Sequence, residues 1–161
     1  MTWATERLDS LKAGTAIPPP IIRTLKLGLI DDWGEGWVRK SWRPDPDLAT
    51  ADGSLFGGYL AALADQVLAF ATMTIVPHDR LFRTVNLQVN FLKVSRNDPL
   101  MIEGRVVAQT RQLITTRADF RRSDGLLIAD ATAQQIVMPF DQWPAEHAAV
   151  ETIAPAQSGE V

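Results

Sequence analysis

The stretch that decides the reading of this chain runs from Phe56 to Val76, FGGYLAALADQVLAFATMTIV. Gly57 and Gly58 stand at its head, Pro77 follows it, and Asp65 is its only charged residue. An apolar run this long exceeds a strand and predicts a helix of about 30 Å. That length would span a bilayer, yet Asp65 and Gln66 lie near its middle and no basic cluster flanks it to set an orientation. A helix buried in a protein core is the better reading. Pro77 is expected to end it, because its ring removes an amide donor and restricts the preceding residue.

Outward from this helix the period changes. In RTVNLQVNF, Val85, Leu87, Val89 and Phe91 alternate with Thr84, Asn86, Gln88 and Asn90, which predicts a strand with one face on a core. After the turn RNDP, a second strand is expected from Leu100 to Thr110, with Ile102, Val106 and Ala108 on one side and Glu103, Arg105 and Gln109 on the other. A third has Ile114, Thr116, Ala118 and Phe120 inward, opposed by Arg117, Asp119 and Arg121. Ser123–Gly125 is a hairpin signal, since Asp-Gly tolerates positive φ, and Leu126–Met138 completes four consecutive antiparallel strands. Upstream, Gly36–Trp42 predicts a strand, and RPDPDLATADG a loop into the helix. Leu8 and Leu11 carry helical spacing, and a short helix is expected from Ile21 to Leu27, after the prolines at 18–20.

These elements predict one domain over residues 1–161, with 1–27 as an N-terminal helical cap and about 141–161 as a peripheral tail. One long helix and a run of strands give an α+β fold in which the helix lies on one face of a curved antiparallel sheet. The chain is 46% apolar and 22% charged, which fits an ordinary folded core. A net charge of −3 with scattered basic residues argues against a nucleic-acid partner. Without cysteine there is no disulfide, thiolate metal site or Cys nucleophile. The start, MTWATERLDSLKAG, lacks the pattern of a secretory signal, so a cytoplasmic location is expected.

A lone carboxylate in an apolar helix must be hydrogen-bonded, shifted in pKa or turned toward a cavity. Its neighbours one turn away are Ala61, Ala62, Leu68 and Ala69, three of them small, which leaves room beside Asp65. Gly57 and Gly58 stand where helix amides have no intrahelical partner and the dipole is positive. Such amides can stabilise an oxyanion, an effect of about 10²–10³ in rate. Asp65, two turns on, can serve as base, an effect of about 10²–10⁴. Two plainer readings stand beside this one: close packing for the glycines, and a packing or surface role for Asp65.

The string GSLFGGYLAALADQVLAFA resembles the helix motif of hotdog-fold acyl-CoA thioesterases of the phenylacetate-pathway type, in which N, P, x, G, x, x, H, G, G precede L, x, D. The resemblance extends through TVNLQVNFLKVS and RQLITTRADFRRSDGLLIADATAQQIVM and covers about residues 20–138. It places Gly53 on the first motif glycine, Gly57 and Gly58 on the glycine pair, and Asp65 on the catalytic acid. It implies a hotdog fold, in which a long central helix is wrapped by a curved antiparallel sheet. It also implies a homodimer or dimer-of-dimers tetramer, in which acid and amide come from opposite subunits. The motif histidine is replaced by Phe56 and the motif asparagine by Thr50. Thr50, Phe56 and the strand residue Asn90 are candidates for substrate contacts.

The expected activity is hydrolysis of an acyl-CoA thioester to free acid and CoA, with no cofactor or metal and no membrane partner. The alternative is a hotdog protein that binds acyl-CoA, or a related ligand, without turning it over. A hotdog dehydratase would need a histidine in the site region, and neither His78 nor His147 lies there. Arg96, Arg111, Arg121 and Arg122 are candidate cations for the phosphates of CoA. The tryptophans, Trp37 and Trp42 among them, suit either stacking on a ligand or core packing.

Overall fold

The computed structural model describes residues 1–142. Three helices, α1 (Trp3–Lys12), α2 (Pro20–Thr24) and α3 (Gly57–Met73), accompany six strands: β1 (Asp32–Gly34), β2 (Trp37–Trp42), β3 (Arg80–Phe91), β4 (Leu100–Gln109), β5 (Leu113–Arg122) and β6 (Leu127–Pro139). The strands form one antiparallel sheet in the order β1-β2-β4-β5-β6-β3. Helix α3 packs on β2 through β6, the helix-on-curved-sheet arrangement expected from the sequence. No helix among the described residues is long and apolar enough to cross a membrane.

The helix sits close to the sheet because the sheet is carved out beneath it. Register places Val38, Gly104, Ala118, Ala131 and Val89 in one row across five strands. Its three central members are glycine and alanine, so the row forms a trough. A Cβ at Gly104 would stand 2.6 Å from Val67 Cγ1 and 3.0 Å from the Val67 carbonyl oxygen. Leu63, Ala64, Val67, Leu68 and Ala71 are consequently sealed from solvent. On the opposite sheet face Arg39, Arg105, Arg117 and Arg121 interleave with Glu103, Asp119 and Asp130 in ion pairs within and between strands.

Several expectations need correction. The four strands after α3 are not neighbours in chain order: β4, β5 and β6 are, but β3 lies beyond β6, and β4 pairs with β2. Alternation reports which way side chains face, and it carries no information on which strands are neighbours. Helix α3 ends at Met73, before Pro77, where the Thr74 hydroxyl donates to the Ala71 carbonyl at 2.7 Å and accepts from the Gly36 amide at 2.9 Å. The second helix starts at Pro20 and ends at Thr24, ahead of a turn in which Lys26 and Gly28 take positive φ. β2 starts at Trp37, and a short partner strand, β1, precedes it.

Val85 and Ala108 do not point inward. The β3–β6 register shifts between Thr84 and Asn86 and the β4–β5 register between Val106 and Ala108, so a bulge exposes each of them. Leu87, Val89, Ile102, Ile114, Thr116, Ala118 and Phe120 take the side the alternation assigns. The turn at Ser123–Gly125 forms with Gly125 at φ +85°. The cap packs as α1 buries Ala4, Leu8 and Leu11, and the Trp3 indole donates to the Arg80 carbonyl oxygen at 3.1 Å. Of the tail, Phe140–Gln142 is a 3-10 turn; the rest of it, with His147, lies outside the described residues.

Candidate active site

Asp65 stands on the one open side of α3. Its carboxylate is exposed in the single chain and, among the described residues, makes no hydrogen bond or ion pair, while Ala61, Ala62 and Ala69 around it are half-buried. Gly58 continues this face toward the helix start and is exposed too. The face is lined by small side chains with one carboxylate at its centre. Among the described residues nothing covers the carboxylate.

No side chain caps the N-terminus of α3; Phe56 occupies the cap position. The amides of Gly57 and Gly58 are therefore without an intrahelical acceptor. Two phenyl rings flank them. A Cβ on Gly58 would meet the Phe56 ring at 2.5 Å, and one on Gly57 would meet the Phe91 ring at 3.1 Å. Close packing is thus a reason for the glycine pair in addition to the free amides. Phe56 is 59% and Phe91 57% exposed, so the rings form an open apolar rim at the helix entrance.

Gly58 and Asp65 are seven residues apart, about 10 Å along a helix axis. A single reacting carbonyl needs its base and its oxyanion donor each about 3 Å away. One chain therefore does not bring the two predicted groups together around one atom. Thr50 is spent on its own loop: its hydroxyl donates to Asp52 at 2.5 Å and lies 2.7 Å from the Ser54 hydroxyl. Those donors, the Ser54 hydroxyl first, hold the Asp52 carboxyl well below the usual carboxylate range. Asn90 lies on the far face of the sheet, donating to Asp130 at 2.6 Å, away from α3.

The structure also holds a group the sequence reading passed over. Lys40 is fully buried, and its ammonium donates to the Leu27 and Gly28 carbonyl oxygens and, at 2.8 Å, to Gln66 Oε1. Gln66 Nε2 in turn donates to the Gly28 oxygen at 2.9 Å. Burial pushes the Lys40 pKa down to about 7, partly opposed by the Asp31 carboxylate. A signal existed: in WVRKSW, Lys40 shares the inward row of Val38 and Trp42.

Of the candidate phosphate cations, Arg121 pairs with Asp119 and Arg122 with Asp124, whereas Arg111 lines a cavity of about 350 Å³ with Arg80. Trp42 is a core residue stacked on Tyr59 at 5.2 Å, and Trp37 carries the Arg39 guanidinium at 5.6 Å. His78 is exposed beyond the end of α3. Among the described residues no group of three or more His, Cys, Asp or Glu is placed to hold a metal.

With this geometry established, comparison with known proteins is decisive at one point. Residues 52–129 match the thioesterase superfamily. That segment holds the end of the loop from Asp52 on, all of α3, β3 to β5 and the start of β6. The fold is the hotdog. A phenylacetic acid degradation-related protein of Ralstonia eutropha superposes with a TM-score of 0.72 at 24% identity, covering 80% of this chain and 98% of that one. A thioesterase family protein of Silicibacter pomeroyi gives 0.71 at 24%, covering 84% and 98%. A hypothetical thioesterase of Streptococcus pneumoniae, solved with coenzyme A, gives 0.61 at 24%, covering 68% and 84%. No protein of curated function matches the chain. Asp65, Gly57 and Gly58 fall within the matched segment, and Thr50 lies just before it.

Proposed function

We propose that the chain hydrolyses acyl-CoA thioesters to a free acid and CoA, and does so as a homo-oligomer. The observation that carries this reading is the unpartnered Asp65 carboxylate on the small-residue face of α3, within a segment that matches the thioesterase superfamily. The coenzyme A held by the Streptococcus pneumoniae protein supports the choice of thioester.

In this mechanism Asp65 takes a proton from water as the water oxygen bonds to the thioester carbon. The carbonyl oxygen becomes an oxyanion held by the free amides of Gly57 and Gly58 at the α3 entrance of a second copy. The C–S bond then breaks, the carboxylic acid departs, and the thiolate of CoA recovers the proton from Asp65. Attack by the Asp65 carboxylate itself, through an anhydride that water opens, yields the same products. The second copy is needed because base and donor stand about 10 Å apart along one helix. β3 supports such an assembly: it is an edge strand, and Val85, Phe91, Leu92 and Val94 on and after it are exposed apolar residues.

The test is thiol release from short-, medium-chain and aromatic acyl-CoAs. Wild type is expected to turn over at least one of them, and Asp65→Asn to lose about 10²-fold or more in kcat. Undiminished turnover in Asp65→Asn would refute the role given to Asp65. A second reading, ligand binding without turnover, draws on Thr50 being tied into its loop and Phe56 standing where the motif has histidine. Calorimetric binding of acyl-CoA with no thiol released would establish it instead.

A further inference from the structure

We infer that Lys40 and Gln66 form a polar latch that sets the rotation of α3, and so act as positioning residues for Asp65. The inference rests on the thioesterase reading for its kinetic arm only.

Most of the α3 surface that meets the sheet is built from Ala, Leu and Val. Apolar contacts of this kind are non-directional, and small side chains offer few knobs to resist a turn of the helix about its axis. Hydrogen bonds are directional. The Gln66 amide uses both of its ends, accepting from Lys40 at 2.8 Å and donating to Gly28 at 2.9 Å. The second rigid point is the next residue, Val67, seated against Gly104 with no room for a Cβ between them. The two residues that fix α3 against β2, β4 and the cap thus follow Asp65 directly.

The lever is long enough to matter. A carboxylate oxygen lies about 6 Å from the helix axis, so a rotation of about 20° moves it by about 2 Å. Misplacement by about 1 Å can cost two orders of magnitude in rate. A buried ammonium facing three oxygen acceptors, with no carboxylate among them, is an expensive way merely to fill space. Its contacts tie β2, α3 and the Leu27–Gly28 turn to one atom.

The test compares Gln66→Met, Gln66→Glu and a core control, Ile114→Val, in the full chain. Met keeps the size of Gln66 but neither hydrogen bond, whereas Glu keeps the acceptor for Lys40. Gln66→Met should lower kcat at least tenfold with KM within twofold, and Gln66→Glu should recover most of the loss. Ile114→Val should leave kcat within twofold after its thermal midpoint is matched to that of Gln66→Met. In parallel, the ¹³C resonance of the Asp65 carboxyl carbon, assigned with Asp65→Asn, should move in Gln66→Met and stay in place in Ile114→Val.

Unchanged kcat in Gln66→Met, or an equal loss in the control, overturns the latch. If wild type releases no thiol, the thioesterase reading fails and the carboxyl resonance alone decides: a shift confined to Gln66→Met supports the latch, and an unmoved resonance overturns it.

Discussion

Gly104 is the residue on which the depth of the central helix depends. Its missing side chain lets Val67 approach to within a distance that no Cβ could share, and one of the atoms in the way is backbone. Gly104→Ala must therefore push α3 away from β4, at about 3 kcal/mol, the upper part of the overpacking range. Equilibrium urea unfolding should show a lower midpoint with an unchanged slope. Gly58→Ala is different, because only the exposed Phe56 ring stands in the way and that ring can swing outward. Stability should change by less than about 1 kcal/mol, the gain in helix propensity offsetting the contact. Thiol release should fall, because the displaced ring and new methyl crowd the free amides.

The chemistry at this scale was partly legible from the sequence. Asp65, Gly57 and Gly58 could be picked out because a charge and a glycine pair are conspicuous in an apolar run. Thr50 and Asn90 could not be judged, since one hydroxyl closing its own loop and one amide on the far face are matters of tertiary geometry. Lys40 could have been suspected from its inward register, but its partners are the carbonyls of a turn 12 and 13 residues away.

Among the elements, β1 and β3 stand at the two edges of the sheet, and β3 is much the longer. It pairs along its whole length with β6 and, among the described residues, has no neighbour on its other side, so a row of backbone donors and acceptors faces outward there. Val85, lifted out by the bulge, stands on this strand at 59% exposure. Val85→Lys should leave the monomer fold intact, since the residue is mostly exposed. If β3 forms the contact between copies, the same change should shift the molar mass toward monomer in size-exclusion chromatography with light scattering. An unchanged assembly would place the contact elsewhere. Strand faces were readable from alternation wherever no bulge intervened. Strand neighbours were not, because pairing of β3 with β6 depends on contacts across some 40 to 60 residues of chain.

For the whole molecule, buried Lys40 couples folding to pH. In the unfolded chain the ammonium keeps its proton up to about 10.5, whereas in the folded chain it gives it up near 7. Between those limits the unfolded state binds more protons, so stability rises with pH from about 7 upward and is flat below. The rise is at most about 5 kcal/mol across the full interval. Tyr59, whose pKa burial raises, works in the opposite direction above about 10, so the clean window is pH 7 to 9. Urea midpoints should climb over that window in wild type and stay level in Lys40→Met, which would also be less stable because three acceptors lose their donor.

The contacts of Trp3 in α1 with the start of β3 and with the turn after β6 have a temporal side. Trp3 donates to the Arg80 carbonyl and meets the Phe140 ring edge-on at 6.3 Å. On the ribosome α1 emerges before α3, on which it packs, and its Trp3 finds both of its partners only after residue 140 has been made. Ala4, Leu8 and Leu11 therefore stay uncovered at least until α3 has been synthesised. The nascent chain exposes apolar surface throughout that interval, and α1 settles well after it has been made.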